Sequence, residues 1–316
     1  MRVLILGSGP TGSILCARLF ENGHDITVLA QPERKIQLLT TGLQLTSPYG
    51  RFRRHVHAVA PGEINQPYDL VVATGRAHLL ETALEIAAPA IGPDTVLLPI
   101  CEGVRALEMA PVNYPGRCVI GGVIEHRVVQ DADLVAHQRT PHVELCLGAL
   151  SAVDTPIVEE LVGLLAGRGI KTFASPQIRA RAWERFSFVV SAIASTHLLR
   201  RPLRDTLRFA HGAGNLSICL RESYRIGEAA GFGPDLVRVK SYANSFLLEG
   251  RPVAPPARAS DDGRAGAEAR YLIGEMIEIG RRVGVHPITI GMAWRDLAPP
   301  VEVTAQSVPM AGAAAT

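Results

Sequence analysis

Short apolar runs and longer amphipathic stretches alternate along the first half of the chain. The apolar runs occupy Arg2–Leu6, Asp25–Ala30, Tyr68–Thr74, Asp94–Ile100 and Cys118–Val123. Their length and their β-branched residues predict buried strands. Because segments with helical spacing separate them, the pattern predicts a mostly parallel, doubly wound α/β sheet.

The segments between these runs predict the remaining elements of a first domain. Apolar residues recur every three or four positions in the predicted helices, which cover about 11–22, 32–41, 78–91, a stretch from 104 and 153–167. Residues 42–59 alternate like a hairpin that turns at Pro48–Gly50. Residues 125–147 predict short strands at a sheet edge, and residues 170–173 predict a final strand.

Beyond Ser175 the pattern becomes helical. It predicts long helices over 177–199, 203–231, 234–248 and 268–284. Residues 249–266 are rich in Pro, Ala, Arg and Asp and predict an irregular loop or lid. The predicted organisation is a sheet domain (residues 1–175), an all-helical C-terminal domain (176–300) and a flexible tail (301–316).

A glycine-rich turn, Gly7-Ser8-Gly9-Pro10-Thr11-Gly12, joins the first strand to the first helix. In a Rossmann-type dinucleotide-binding unit, the first glycine permits the tight turn and the second lets the backbone approach a pyrophosphate. The third allows close packing of the helix, whose N-terminus attracts phosphate. Such a motif alone is weak evidence, but its place between a strand and a helix predicts nucleotide binding in a Rossmann-type domain.

Composition narrows the class of protein. The 316 residues have a formal net charge of +2, which argues against a general nucleic-acid or membrane-surface binder. Five cysteines without a CxxC pair indicate reduced thiols and a cytoplasmic protein. The N-terminal apolar run is too short for a signal peptide, and no run approaches the roughly 20 residues of a membrane span.

Several segments together resemble the ketopantoate reductase family over roughly residues 1–298. The segments are GSGPTG (7–12), CVIGGV (118–123), RARAWERF (179–186), NSFLLEG (244–250) and AEARYLIGEMIEIGRRVGV (267–285). The resemblance implies a Rossmann domain and a helical domain, reduction of a 2-keto acid with NADPH, and a homodimer. It implies a small-molecule substrate and no nucleic-acid or membrane partner.

The predicted cofactor site combines the glycine turn with the ends of later strands. No acid follows the second strand, where NAD-specific domains usually place one, and Gln31 stands where the family often has arginine. Arg34 and Lys35 follow and could meet a 2′-phosphate or merely solvate a helix, so NADP is favoured and NAD stays possible. The predicted cofactor-binding residues are Gly7, Ser8, Gly9, Pro10, Thr11, Gly12, Gln31, Arg34, Thr74, Arg76 and Gly103.

The positions that carry chemistry in the family differ in this chain. The resemblance places Arg185 at the catalytic lysine, and an arginine does not readily release a proton because the pKa of its guanidinium is above about 12. Glu102 and Val189 occupy two asparagine positions, and Arg76 occupies a further lysine position. We predict Arg185, Glu102 and Glu268 as catalytic residues, with Glu102 or water handling the proton.

Predicted substrate contacts are Val189, Asn244 and Ser245, of which Ser245 matches a family serine that contacts the substrate carboxylate. Each prediction has a structural alternative: Arg185 as a salt-bridge residue, Glu268 as an acid near a helix N-terminus. Lys240 could also reach the site. His126, His137 and His142 have no metal-ligand spacing, so no metal site is expected, and the basic residues Arg51–Arg54 read as a solvated face.

Three hypotheses follow. The first is an NAD(P)H-dependent oxidoreductase that reduces a carbonyl or imine of a small acid other than ketopantoate. The second is an orthodox ketopantoate reductase made slow by Arg185. The third is a protein that keeps the nucleotide fold for non-redox chemistry, as a lyase, isomerase or cyclase, or for ligand sensing.

Overall fold

The computed structural model describes residues 1–125, 128–233, 235, 237–238 and 264–297. They form two compact units, the first ending at Phe186 and the second beginning at Ser187. The predicted elements at 234–248 and 249–266, and the tail at 301–316, lie wholly or largely outside the described residues.

Twelve strands form in the first unit. They are β1 (Arg2–Leu6), β2 (Asp25–Leu29), β3 (Leu43–Ser47), β4 (Gly50–Arg54), β5 (His57–Val59), β6 (Leu70–Thr74), β7 (Val96–Ile100), β8 (Cys118–Glu125), β9 (Val128–Gln130), β10 (Ala136–Gln138), β11 (Val143–Ala149) and β12 (Ile170–Ala174). Eight of them make the main sheet in the order β12-β11-β8-β7-β6-β1-β2-β5. All neighbours in it are parallel except β8 and β11, which confirms the predicted doubly wound sheet.

Five α-helices connect these strands: α1 (Pro10–Glu21), α2 (Pro32–Thr40), α3 (Leu80–Ile86), α4 (Arg105–Asn113) and α5 (Thr155–Leu165). The predicted continuous helix over 78–91 is wrong. The chain forms α3 between two short 3₁₀ turns, at 77–79 and 88–90. Pro89 explains the early end, because proline lacks the N–H that a continuing helix requires.

A second sheet of four strands, in the order β4-β3-β10-β9, stands apart from the main one. The predicted hairpin over 42–59 is correct for β3 and β4, but β5 joins the main sheet beside β2. The predicted edge region at 125–147 divides in the same way: β9 and β10 enter the second sheet, and β11 enters the main one. Period-two patterning identified the strands but carries no information about which partner each finds.

The core lies on both faces of the main sheet. Ile5, Val28 and Val72 occupy equivalent positions on neighbouring strands and are buried in one apolar cluster with α1 and α5. Leu4, Val71 and Leu97 point to the opposite face, where a second cluster includes Leu84. Burial on both faces explains why these strands read as continuous apolar runs.

A long helix, α6 (Ile178–Leu199), contains the division between the two units. Its first turn packs closely on the sheet, since a Cβ at Gly148 would lie 2.5 Å from the Cβ of Ile178. The first turns of α6 therefore belong to the sheet unit, and the division falls later than the predicted domain boundary at 175/176.

The second unit is helical where it is described. It contains the rest of α6, then α7 (Leu203–Leu207), α8 (Ala210–Ala229), α9 (Arg264–Arg282) and α10 (Ile288–Asp296). The predicted single helix over 203–231 is wrong, because Phe209 is extended between α7 and α8. Gly212 permits the tight turn: a Cβ there would meet the Thr206 carbonyl oxygen at 1.9 Å. No helix among the described residues has the length and apolarity to cross a membrane.

The start of α10 depends on a carboxylate from another helix. Glu222 of α8 accepts the Thr289 N–H at 2.9 Å and the Ile290 N–H at 3.0 Å. These two N–H groups have no partner within their own helix.

We expect Glu222→Ala to lower the free energy of unfolding by about 1–2 kcal/mol and Glu222→Gln to lower it less. Glu159→Ala on exposed α5 surface is the control in thermal unfolding, and equal effects would contradict the capping role.

Candidate active site

The glycine turn forms where β1 meets α1, and two of its glycines are enforced by close contacts. Gly7 has φ of 98°, and a Cβ there would lie 2.7 Å from the Thr74 carbonyl oxygen. A Cβ at Gly12 would lie 2.0 Å from the Gly7 carbonyl oxygen. Both positions therefore exclude any side chain, as the sequence motif requires.

Gly9 differs, because a Cβ built there meets nothing within 4 Å. It is the N-cap of α1, which has Pro10 in its first turn and no side-chain cap. Backbone without a side chain, beside the positive end of a helix, suits a bound pyrophosphate. The turn, including the half-buried Ser8 and Thr11, thus fits the phosphates of a dinucleotide.

Thr74 supports this turn from the neighbouring strand. Its hydroxyl donates to the Leu6 carbonyl at 2.9 Å and lies 3.3 Å from the Gly7 carbonyl oxygen. The side chain is buried. Thr74 therefore shapes the cradle, and its predicted part in cofactor binding is best understood as this indirect one.

Arg34, on α2, lies directly on the turn. Its Nε donates to the Ser8 hydroxyl at 3.0 Å, and its Nη1 donates to the Gln37 side-chain oxygen at 2.6 Å. Burial lowers the pKa of Arg34 from its ordinary value. Lys35 is directed elsewhere, since its Nζ pairs with Glu63 at 2.6 Å. Of the two predicted cations, Arg34 is the one beside the phosphate cradle.

Gln130, from the second sheet, also holds the turn and was missed by sequence reasoning. Its Nε2 donates to the Ser8 carbonyl at 3.1 Å and to the Leu134 carbonyl at 3.0 Å. The Gln37 amide donates to the Asp133 carbonyl at 2.9 Å. No local signal marks Gln130, because its hydrogen bond joins it to Ser8, 122 positions away in the chain.

The other predicted cofactor residues lie at the same edge of the sheet. Gln31 is the exposed N-cap of α2, just beyond β2. Arg76 is half-exposed after β6, and Gly103 is buried after β7 with φ of 90°. Because carboxyl ends of parallel strands share one edge, these residues and the glycine turn border the region where ligands bind in this topology.

Glu102 and Arg185 form an ion pair in the first unit. Arg185 Nη2 donates to Glu102 Oε1 at 2.7 Å, and Arg185 Nε lies 3.2 Å from Oε1 and 3.3 Å from Oε2. The side chains are 15% exposed for Arg185 and 33% exposed for Glu102. The structure therefore joins two predicted catalytic residues that are 83 positions apart.

Neighbours of Arg185 on α6 fix its position. Trp183 and Phe186 are almost fully buried, and their rings meet edge to face with centroids 5.7 Å apart. Arg179, nearer the start of the helix, donates to the Leu107 carbonyl at 3.3 Å. Buried aromatic residues on both sides leave the helix little freedom to turn Arg185 away from Glu102.

The pair limits what each side chain can do. A guanidinium only donates hydrogen bonds, and Glu102 accepts through both of its oxygens. Arg185 can therefore offset charge but supplies no proton. The geometry therefore favours a Glu102 that binds a positively charged group over the predicted Glu102 that donates a proton.

The remaining predicted residues belong to the second unit. Val189 packs against the buried cluster that contains Phe188 and Leu203. Glu268 is half-buried on α9, which begins at Arg264, so Glu268 lies beyond the first turn and the interpretation as a helix N-terminal acid is wrong. Asn244, Ser245 and Lys240 lie outside the described residues.

The histidines and cysteines give no second centre. His137 pairs with Asp131 at 2.7 Å, and His126 lies outside the described residues. None of the five cysteines forms a disulfide bond. In the part of the chain that the structure describes, no three His, Cys, Asp or Glu side chains are placed to hold a metal ion.

The parallel sheet, the enforced glycine turn and the helix without a side-chain cap define a Rossmann-type fold with a helical second unit. Residues 3–152 match the family described as ketopantoate reductase PanE/ApbA. Residues 3–152 of this chain therefore carry a domain of the ketopantoate reductase family.

Full-length relatives agree with this assignment. An uncharacterized oxidoreductase, YkpB of Bacillus subtilis (strain 168), is 23% identical over 286 residues, covering 90% of this chain and 94% of the relative. A 2-dehydropantoate 2-reductase of Mesorhizobium japonicum is 27% identical over 320 residues, covering 90% and 98%. The family and these named relatives are thus oxidoreductases.

Solved structures show the same fold. D-mandelate dehydrogenase with NADH and anilino(oxo)acetate has a TM-score of 0.85 at 16% identity, covering 94% of this chain and 97% of that chain. The 2-dehydropantoate 2-reductase from Methylococcus capsulatus has a TM-score of 0.75 at 19% identity, covering 93% and 95%.

Two glycine variants separate folding from phosphate binding. We expect Gly9→Ala to change the free energy of unfolding by less than about 0.5 kcal/mol, because its Cβ meets no atom, yet to weaken NADPH binding by at least about tenfold. Gly12→Ala should cost at least about 2 kcal/mol of stability because of its clash with Gly7. Thermal unfolding and calorimetric titration measure both effects, and wild-type NADPH affinity in Gly9→Ala would contradict the cradle.

Proposed function

We propose that this protein is an NAD(P)H-dependent oxidoreductase that reduces a carbonyl or imine of a small acid other than ketopantoate. The observation that carries the proposal is the Glu102–Arg185 pair at the same sheet edge as the glycine cradle. The cradle supports dinucleotide binding, and the pair replaces the lysine and asparagine that the family resemblance implies.

The chain's own residues divide the work. The glycine turn binds the pyrophosphate, with Ser8 held in place by Arg34 and Gln130. A reduced nicotinamide dinucleotide supplies the hydride when it is bound. Glu102, held in place by Arg185, contacts the reacting group of the substrate and sets its orientation and charge environment.

NADP is the proposed cofactor. Arg34 places a half-buried cation at the glycine turn, and no acid stands at the tip of β2, where Ala30 and Gln31 follow, to hold unmodified ribose hydroxyls. An arginine near this point accommodates the 2′-phosphate in NADP-binding domains. We propose a cytoplasmic protein, which the absence of a disulfide bond among the five cysteines supports. We also propose a homodimer, which the exposed Ile288 and Met292, one turn apart on α10, support.

The second candidate is a slow, orthodox 2-dehydropantoate 2-reductase. It is favoured by the Mesorhizobium japonicum relative, which carries that name and aligns along 98% of its length. It is disfavoured by Arg185, which is paired with a carboxylate and does not readily release a proton.

Cofactor binding tests the first part of the proposal. We expect calorimetry to show NADPH binding more tightly than NADH, and Arg34→Ala to reduce this preference by about tenfold. Lys35→Ala is the matched control, since Lys35 is committed to Glu63. A screen of carbonyls and imines should then consume NADPH; tight binding without consumption of any of them would indicate non-redox chemistry, and failure of both nucleotides to bind would refute the proposal.

Restoring the family lysine separates the two candidates. If the proposed function is correct, Arg185→Lys and Arg185→Lys/Glu102→Asn should gain less than about twofold in kcat on ketopantoate, because the substrate is a different molecule. Arg179→Lys, six residues earlier on α6, is the control for the effect on activity of an Arg-to-Lys change in this helix. An increase of about tenfold or more in either restored variant would favour the second candidate.

A further inference from the structure

Glu102 brings a negative charge to the carboxyl edge of the sheet. Reduction of a neutral carbonyl forms a negatively charged alkoxide, and a carboxylate beside it would not stabilise that charge. The charge of Arg185 is already matched by Glu102 at 2.7 Å, so the pair is neutral as a unit. A developing alkoxide would gain little from this neutral pair and would be repelled by Glu102, which is the more exposed member at 33%.

The same geometry leaves the pair without a proton to give. A ketone that gains hydride becomes an alkoxide and must be protonated by a nearby group. Arg185 holds its protons too tightly for this, and Glu102 accepts N–H groups through both oxygens. The substrate that suits this pair therefore needs no proton from it when it is reduced.

We propose, building on the oxidoreductase function above, that the reacting group is a protonated imine and that Glu102 binds its positive N–H. An iminium cation gives a neutral amine directly when hydride adds to its carbon. One C–H bond forms, the C=N π electrons become the nitrogen lone pair, and the dihydronicotinamide dinucleotide is oxidised by two electrons. No further proton or co-reactant is required.

Arg185 is a positioning residue in this scheme. Its two donors hold the carboxylate of Glu102 in one orientation, which pre-organises the acceptor before the substrate arrives. The carboxylate keeps acceptor capacity beyond the hydrogen bonds from Arg185, because two carboxylate oxygens offer about four acceptor sites.

The experiment compares a matched pair of substrates and a matched pair of non-reactive ligands. NADPH consumption is measured with 2-methyl-1-pyrroline, a cyclic imine, and with pyruvate, a 2-oxo acid. Binding of 2-methylpyrrolidine and of lactate is measured by calorimetry with NADP⁺ present, which is a readout independent of turnover. We expect kcat/KM for the imine to exceed that for pyruvate by at least about tenfold.

Glu102→Gln should reverse this selectivity. Loss of the carboxylate should lower kcat/KM for the imine by about 100-fold and weaken amine binding by at least about tenfold. It should raise kcat/KM for pyruvate, because the negative charge that faces the anionic substrate is removed. Glu102→Asp should keep part of the preference for the imine, and Glu160→Gln on exposed α5 surface should change neither substrate. A merely structural loss would lower both activities together.

The outcomes distinguish this inference from the proposed function. Consumption of NADPH with pyruvate or other 2-oxo acids but not with the imine would overturn the inference and leave the oxidoreductase function intact. Parallel losses for both substrates in Glu102→Gln would also overturn it. Absence of NADPH binding would refute the oxidoreductase function itself.

Discussion

The contact between Gly12 and the Gly7 carbonyl is the constraint on which the nucleotide-binding half depends. Because there is no room for a Cβ at Gly12, the first turn of α1 packs directly against the end of β1. Thr74, at the end of β6, hydrogen-bonds to the same end of β1. The α1 N-terminus consequently points at the sheet edge where Glu102 follows β7. One steric exclusion thus sets where the N-terminus of α1 points and, through the parallel sheet, which residues share that edge with it.

The ion pair between Arg185 and Glu102 sets the local charge at the proposed substrate site. Arg185 alone would be a strong cation suited to a 2-oxo acid, and Glu102 alone would be an anion that repels one. Held 2.7 Å apart, they compensate each other and remain fixed by the buried aromatic residues beside Arg185. The two positions therefore act as one unit, and a single substitution changes the net charge of that unit.

Strand and helix patterns anticipated the main sheet because both of its faces are buried, so each strand reads as an apolar run. The pattern did not predict which strands pair when the partners lie far apart in the sequence. The strands after 42 and after 125 were recognised, but their division between two sheets was not. Gln130 illustrates the consequence, since only the second sheet brings its amide to the Ser8 carbonyl.

The sequence by itself determined the glycine cradle and the alternation of strands and helices, and it marked Arg185 and Glu102 as candidate site residues. These are local properties, set by backbone sterics and by the chemistry of single side chains. Only the tertiary structure decided that Arg34 lies on the cradle while Lys35 pairs with Glu63, and that Arg185 meets Glu102. The reason is physical: the Coulomb energy of a charge depends on its distance from other charges, and folding sets that distance for residues far apart in the chain.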